Sequence, residues 1–140
     1  MSALAVRLGA AEFGLPAATV REVLRPVPLT RVPCPPPDVR GIAQVRGTVM
    51  AVLDLGTRLG MGPAALPGRM VVVWGRGREA VGLLVDRVVG LVDTEEALAP
   101  LPDEAEAALP AGWLAGVVEP VPGRRIALLD LERVLGGEAR

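Results

Sequence analysis

The chain has 140 residues, with 15 Lys+Arg against 16 Asp+Glu and a formal net charge of −1. It contains no histidine and a single cysteine, Cys34, which excludes His/Cys zinc sites, Ser-His-Asp and Cys-His nucleophilic systems, and any disulfide within the chain. The length suits one domain or two tightly joined subdomains, and a hydrophobic fraction of 51% is ample for a core.

Every basic residue is arginine, and lysine, tyrosine and asparagine are also absent, so arginine as a residue type carries little functional weight. Mean hydropathy is +0.43, yet the apolar runs Met70–Gly75 and Ala80–Val85 are interrupted by charge, well short of the roughly 20 residues of a membrane helix. Arg7 follows the first apolar stretch instead of preceding it, against a secretory leader. The expectation is a soluble cytoplasmic chain without direct membrane insertion. A pI of about 5.5 and only three aromatics, Phe13, Trp74 and Trp113, argue against nucleic acid as a partner.

Short Val/Leu-rich runs separated by Gly and Pro predict an all-β barrel or sandwich with few short helices. In chain order the expected strands are Leu4–Leu8, Val20–Leu24, Ile42–Arg46, Thr48–Leu53, Met70–Trp74, Ala80–Val85, Val88–Asp93, Trp113–Glu119 and Arg125–Leu129. Arg76-Gly77-Arg78 and Pro122-Gly123 read as hairpin turns. The proline-rich stretch Val32–Pro37 is expected to run extended into a turn near Asp38, with Cys34 as a small packed hydrophobe.

One internal echo stands out. Thr48–Gly60 and Arg125–Gly136 each end a strand in Leu-Asp-Leu and continue into a helical turn carrying Leu and Gly. Asp54 and Asp130 suit helix N-caps, and Gly41-Ile42 and Gly116-Val117 lie upstream of them. The chain therefore reads as two similar β units within a single domain, residues 1–140.

Charge is uneven. Residues 1–92 hold eleven Arg and six acids, +5, whereas residues 93–140 hold four Arg and ten acids, −6. The acidic stretch Asp93–Glu106 reads as a solvated loop or helix face, or as one of two oppositely charged partner faces. Asp93, Glu95 and Glu96 lack the spacing and glycine of a calcium loop. Asp54 and Asp130 are explained by capping. No catalytic residue, metal site or cofactor is expected.

A binding module remains. Gly41–Thr48 (GIAQVRGT) places a single arginine, Arg46, at the turn of an apolar strand pair, and Glu22 sits in the equally apolar Thr19–Leu24. A carboxylate holding that guanidinium would make a rigid anchor for a partner.

These stretches, taken in order, resemble the CheW-type chemotaxis coupling proteins. The matching segments are Val20–Leu24, Thr30–Pro33, Arg40–Ile42 leading to Val45–Gly47, Val52–Leu55, Met70–Val73, Val81–Val88, Trp113–Val117 and Leu128–Leu131. The resemblance covers nearly the whole chain. It implies two five-stranded SH3-like β-barrel subdomains around a shared core, and a non-catalytic adaptor. The implied partners are the cytoplasmic tip of a chemoreceptor and the regulatory domain of the CheA histidine kinase, in membrane-associated arrays. It further implies Val20, Glu22, Gly41, Arg46, Val71, Gly82 and Val88 around receptor coupling, the glycines serving close approach of backbones. A one-sided adaptor, and a generic SH3-like module outside chemotaxis, are the alternatives.

Overall fold

The computed structural model describes residues 2–65, 67–75, 79–94, 98–99, 109–110 and 112–136. Eleven strands are described among them: β1 Ser2–Leu8, β2 Ala11–Pro16, β3 Val20–Leu24, β4 Val39–Val45, β5 Thr48–Asp54, β6 Arg69–Trp74, β7 Ala80–Val85, β8 Arg87–Asp93, β9 Leu98–Ala99, β10 Leu114–Val121 and β11 Arg124–Leu129. Two short helices follow the two Leu-Asp-Leu segments, α1 Leu55–Arg58 and α2 Leu131–Gly136. Both capping expectations hold: Asp54 Oδ1 accepts from the Thr57 amide at 3.0 Å, and Asp130 Oδ1 from the Arg133 amide at 3.2 Å.

The strands form two sheets, ordered β8-β1-β2-β11-β10-β9 and β3-β6-β7-β5-β4. The chain thus begins in one sheet, builds the other from its middle, and returns. Beyond the two-residue β9, both sheets carry the same ladder sequence: antiparallel, antiparallel, parallel, antiparallel. Strand for strand, β8 matches β3, β10 matches β4, β11 matches β5, β1 matches β6 and β2 matches β7. In chain order the second unit is a circular permutation of the first, its final hairpin supplied by the N-terminal strands.

The likeness extends to register. Gly82 faces Val52 and Gly14 faces Leu128, at matching places in the two parallel ladders. The register shifts between Val39 and Gly41 in one hairpin and between Leu114 and Gly116 in the other. A further shift falls between Val20 and Glu22, and its counterpart falls where Val6 pairs Val88 while Ala5 pairs Gly90. Even the outer pairing repeats: Thr30 bridges Ile42, and Ala99 pairs Val117. The echo around Asp54 and Asp130 is the sequence trace of this repeat.

Alternation of side chains along each strand separates three cores. Val71, Val73, Leu83 and Val85 of one sheet meet Leu4, Val6, Leu8, Phe13 and Leu15 of the other, with Leu55 and Leu131 from the helices, in a core shared between the sheets. Inside the five-stranded barrel lie Ala43, Val45, Met50, Val52, Met70 and Val72. The other barrel holds a smaller set, Ala5, Val118 and Ile126.

Two strands go beyond the sequence reading. β2 carries Glu12, Gly14 and Pro16, which break the apolar run that signals a strand, and β9 is two residues long. Cys34 is exposed, not packed. It sits at φ +47 between Pro33 and Pro35, and prolines without amide donors give that excursion no ladder to draw the thiol into any of the three cores. The expected Pro122-Gly123 hairpin joins β10 to β11. Arg76-Gly77-Arg78 and most of the acidic stretch Asp93–Glu106 lie outside the described residues.

Candidate functional site

In the five-stranded sheet β3 and β4 are the two edges, so closing the barrel brings them together across a seam. Two devices hold that seam. At one place the β3–β4 connection folds back, and Thr30 and Ile42 exchange amide–carbonyl bonds of 2.8 Å in both directions. At another, the Arg46 guanidinium pairs with the Glu22 carboxylate. Arg46 and Gly47 form the two-residue turn between β4 and β5, with φ of +49 and +79, positive at both positions as a type I′ turn requires. Glu22 shares the inward side of β3 with Leu24, which packs on the interior cluster of this barrel. The carboxylate therefore stands at the end of the barrel, directly in reach of the turn.

Gly41 belongs to the same seam. Its φ is +149, and a Cβ there would lie 2.6 Å from the Thr30 carbonyl oxygen. Only glycine lets the Thr30 segment lie this close to β4, so the expectation of close backbone approach holds at this position. At Gly82 the reason differs: a Cβ would meet Met70 Sδ at 2.9 Å and Val52 Cγ2 at 3.3 Å. That glycine makes room for core side chains, not for a neighbouring backbone.

Val20, Glu22, Gly41 and Arg46 are thus gathered on the two edges of one sheet. Val20 is half-buried and packs on the shared core. Val88 is its counterpart on β8, the edge of the other sheet, half-buried against the same core. Val71 is fully buried, and Gly41 and Gly82 are buried. These three are covered by the chain itself.

Sequence reasoning missed a cation–π pair between β3 and its neighbour β6. The Arg21 guanidinium carbon lies 4.4 Å from the centroid of the Trp74 ring, brought there by the register shift between Val20 and Glu22. A shift of this kind leaves no mark in an apolar alternation. It also missed Arg58, which donates to the Val134 carbonyl at 2.9 Å and the Asp38 carboxylate at 3.2 Å, 5.3 Å from the Trp113 ring centroid. Arg58 follows β5 and Val134 follows β11, so this one guanidinium ties the two barrels together.

Two cavities, of 680 and 480 Å³, are lined by none of the seven expected residues. Among the described residues no three His, Cys, Asp or Glu stand together to hold a metal ion, and no helix is long and apolar enough to cross a membrane. Of the gathered residues Arg46 is exposed, Val20 and Glu22 are half-buried and Gly41 is buried, and none of the four lines either cavity.

Comparison with known proteins identifies the family. The CheW-like domain matches residues 2–139. A probable chemotaxis protein CheW of Rhizobium etli is 35% identical over 131 residues, covering 92% of this chain and 83% of that protein. The chemotaxis protein CheW of Rhizobium meliloti is 34% identical over 142 residues, covering 98% and 88%. In fold, the scaffolding protein TtCheW of Thermoanaerobacter tengcongensis superposes with a TM-score of 0.84 at 24% identity, over 99% of this chain and 94% of that one. With a matching domain along almost its entire length and relatives above 30% identity, the chain belongs to the CheW-like family of chemotaxis coupling proteins.

Proposed function

We propose that this CheW-like chain is a non-catalytic adaptor linking the cytoplasmic tip of a chemoreceptor to the regulatory domain of the CheA histidine kinase, in the cytoplasm beside membrane-bound receptor arrays. The receptor contacts the surface around Val20, Glu22, Arg46 and Val88, with Gly41, Val71 and Gly82 setting its shape from below.

The observation that carries this reading is an asymmetry between two units of one topology. The five-stranded unit bears an ion pair across its seam. By register, the counterparts of Glu22 and Arg46 in the other unit are Gly90 and Pro122, which have no charge to offer. A fold that closes its seam once without the pair does not need the pair for closure. What remains for Glu22 and Arg46 is the outer surface, where a fixed guanidinium serves recognition.

Adaptor function requires two separate faces of modest area, each of the order of 1,000–1,600 Å² in total, made effective by the many copies in an array. The purified chain, mixed with a soluble receptor cytoplasmic fragment and with the kinase regulatory domain, is expected to co-elute with each alone and with both together. Mutual exclusion of the two partners, or failure to bind either, contradicts the proposal.

A further inference from the structure

The repeat assigns a counterpart to Arg58. The Asp54 amide donates to the Asp38 carbonyl at 2.7 Å, and the Asp130 amide to the Trp113 carbonyl at 2.8 Å. Asp38 and Trp113 therefore hold equivalent places, just before β4 and β10. Arg58 and Val134 each lie four residues beyond the aspartate that caps their helix, and are equivalent in turn. Arg58 Nε donates to the Val134 carbonyl at 2.9 Å and Nη1 to the Asp38 carboxylate at 3.2 Å, and the guanidinium carbon lies 5.3 Å from the Trp113 ring centroid. One side chain thus meets its own counterpart and both members of the other matched pair.

These are places where the two units differ in chemistry. The second unit puts a fully buried valine into the shared core where the first has an arginine whose side chain is 21% exposed. The fold therefore accepts an apolar residue there, and a unit does not need the guanidinium to close. Burying most of an arginine beside a half-buried carboxylate yields little net stability over apolar side chains of similar size. What the guanidinium adds is direction. Apolar burial between the sheets has no preferred direction of its own, whereas a planar fork with fixed N–H vectors is satisfied in one arrangement. Asp86 is a second polar bridge between the units, accepting from the Gly9 and Ala65 amides at 2.7 Å each. It stands where the chain itself passes from β7 in one sheet to β8 in the other. Arg58 instead joins α1 to α2, across 76 residues of sequence.

We infer that Arg58 is a positioning residue that sets the angle between the two barrels, and with it the direction in which the receptor seam faces relative to the other barrel. Its consequence for signalling rests on the adaptor reading, since an adaptor must hold two partners in one geometry. The angle itself is a property of the chain alone.

Two variants test this. Arg58→Lys keeps the charge and replaces the fork by one ammonium; Asp38→Asn with Arg58→Met removes both charges, so that no carboxylate is stranded. Nitroxides on Val49→Cys and Val121→Cys, in a Cys34→Ser background, report the distance between the barrels by double electron–electron resonance; both valines are exposed, one on each barrel. The parent is expected to give one narrow distance. In both variants it is expected to move or widen by about 2 Å or more, the scale of shear between packed elements, with far-ultraviolet dichroism preserved. Binding of a soluble receptor fragment is expected to stay within about twofold of the parent, because the Glu22–Arg46 surface is separate, while receptor-dependent kinase activation is lost. A distribution unchanged in the double variant overturns the assignment, whatever the partners do. If Arg58→Lys alone keeps the parent distribution, charge suffices and the fork is overturned as the cause. A changed distribution with full kinase activation overturns the consequence for signalling. If the distance responds and the parent chain couples no receptor to the kinase, the positioning role stands and the adaptor reading falls.

Discussion

Glu22 on β3 and Arg46 in the β4–β5 turn are joined by an ion pair across a seam that no continuous backbone ladder closes. Their side chains are 25% and 70% exposed, a setting in which salt bridges contribute about 0–1 kcal/mol. Arg46 also occupies φ +49, where side chains are uncommon and Asn or Gly is at ease. An arginine held there against backbone preference points to use at the surface and not to stability.

That trade gives the first prediction. Arg46→Asn is expected to keep or raise stability by up to about 1 kcal/mol, because Asn-Gly is the favoured type I′ pair. Arg46→Ala is expected to lose about 1 kcal/mol or less of folding stability. Both are expected to weaken receptor binding by roughly 1–3 kcal/mol. Thermal melts beside binding titrations on the same preparations check the separation; loss of fold and binding together would make Arg46 a structural residue.

The two matched glycines give the second. A Cβ at Gly41 meets backbone oxygen at 2.6 Å, whereas a Cβ at Gly116 has only Leu128 Cδ1 at 3.9 Å. Gly41→Ala is therefore expected to cost about 2–4 kcal/mol and to displace the Thr30 bridge. Gly116→Ala is expected to stay within about 1 kcal/mol of the parent. Urea melts report the energies, and hydrogen exchange at the Thr30 and Ile42 amides reports the bridge.

The two capping aspartates differ in the same instructive way. Asp54 is 1% exposed and accepts from Arg40 Nη2 at 2.8 Å, the Thr57 amide at 3.0 Å and the Ala64 amide at 3.0 Å. Asp54→Ala is expected to cost about 2–4 kcal/mol, because those donors lose a buried acceptor. The Asp130 side chain is 38% exposed, and Asp130→Ala is expected to cost about 1 kcal/mol, the ordinary loss of a cap. Equal costs would contradict the assignment of Asp54 as the hub of its loop.

Acid should find Glu12. The Arg124 guanidinium, donating two bonds to it, holds its carboxyl below the ordinary glutamate value, opposed in part by desolvation. A carboxyl with a lowered folded value stabilises the native state at neutral pH and loses that contribution as pH falls through it. Glu12→Gln is thus expected to destabilise at neutral pH and to flatten the decline of stability below about pH 4.3. A stability–pH profile unchanged in shape by the substitution would contradict this.

Much of the architecture was legible because apolar alternation and Gly/Pro punctuation report strands directly. The strands Val20–Leu24 and Ala80–Val85 agree at both ends, and the others differ by a few residues at most. β2 escaped because Glu12, Gly14 and Pro16 serve the ion pair with Arg124, the close packing on Leu128 and the strand terminus, and so do not look like a strand. Glu22 and Arg46 could be paired from the sequence, since Arg46 is the one charge of Gly41–Thr48 and Glu22 the one acid of Thr19–Leu24. Trp74 with Arg21 could not, because the contact depends on a register shift. Cys34 was misplaced for a related reason: its residue type suggests burial, while its proline neighbours hold it outside both sheets.

The most direct test of the adaptor reading is ATP turnover by the cognate kinase, measured with receptor present and with or without this purified chain. Coupling predicts a large receptor-dependent rise when the chain is added, and loss of that rise in Arg46→Ala while the fold persists. Turnover that does not respond to the chain in the presence of both partners would contradict it.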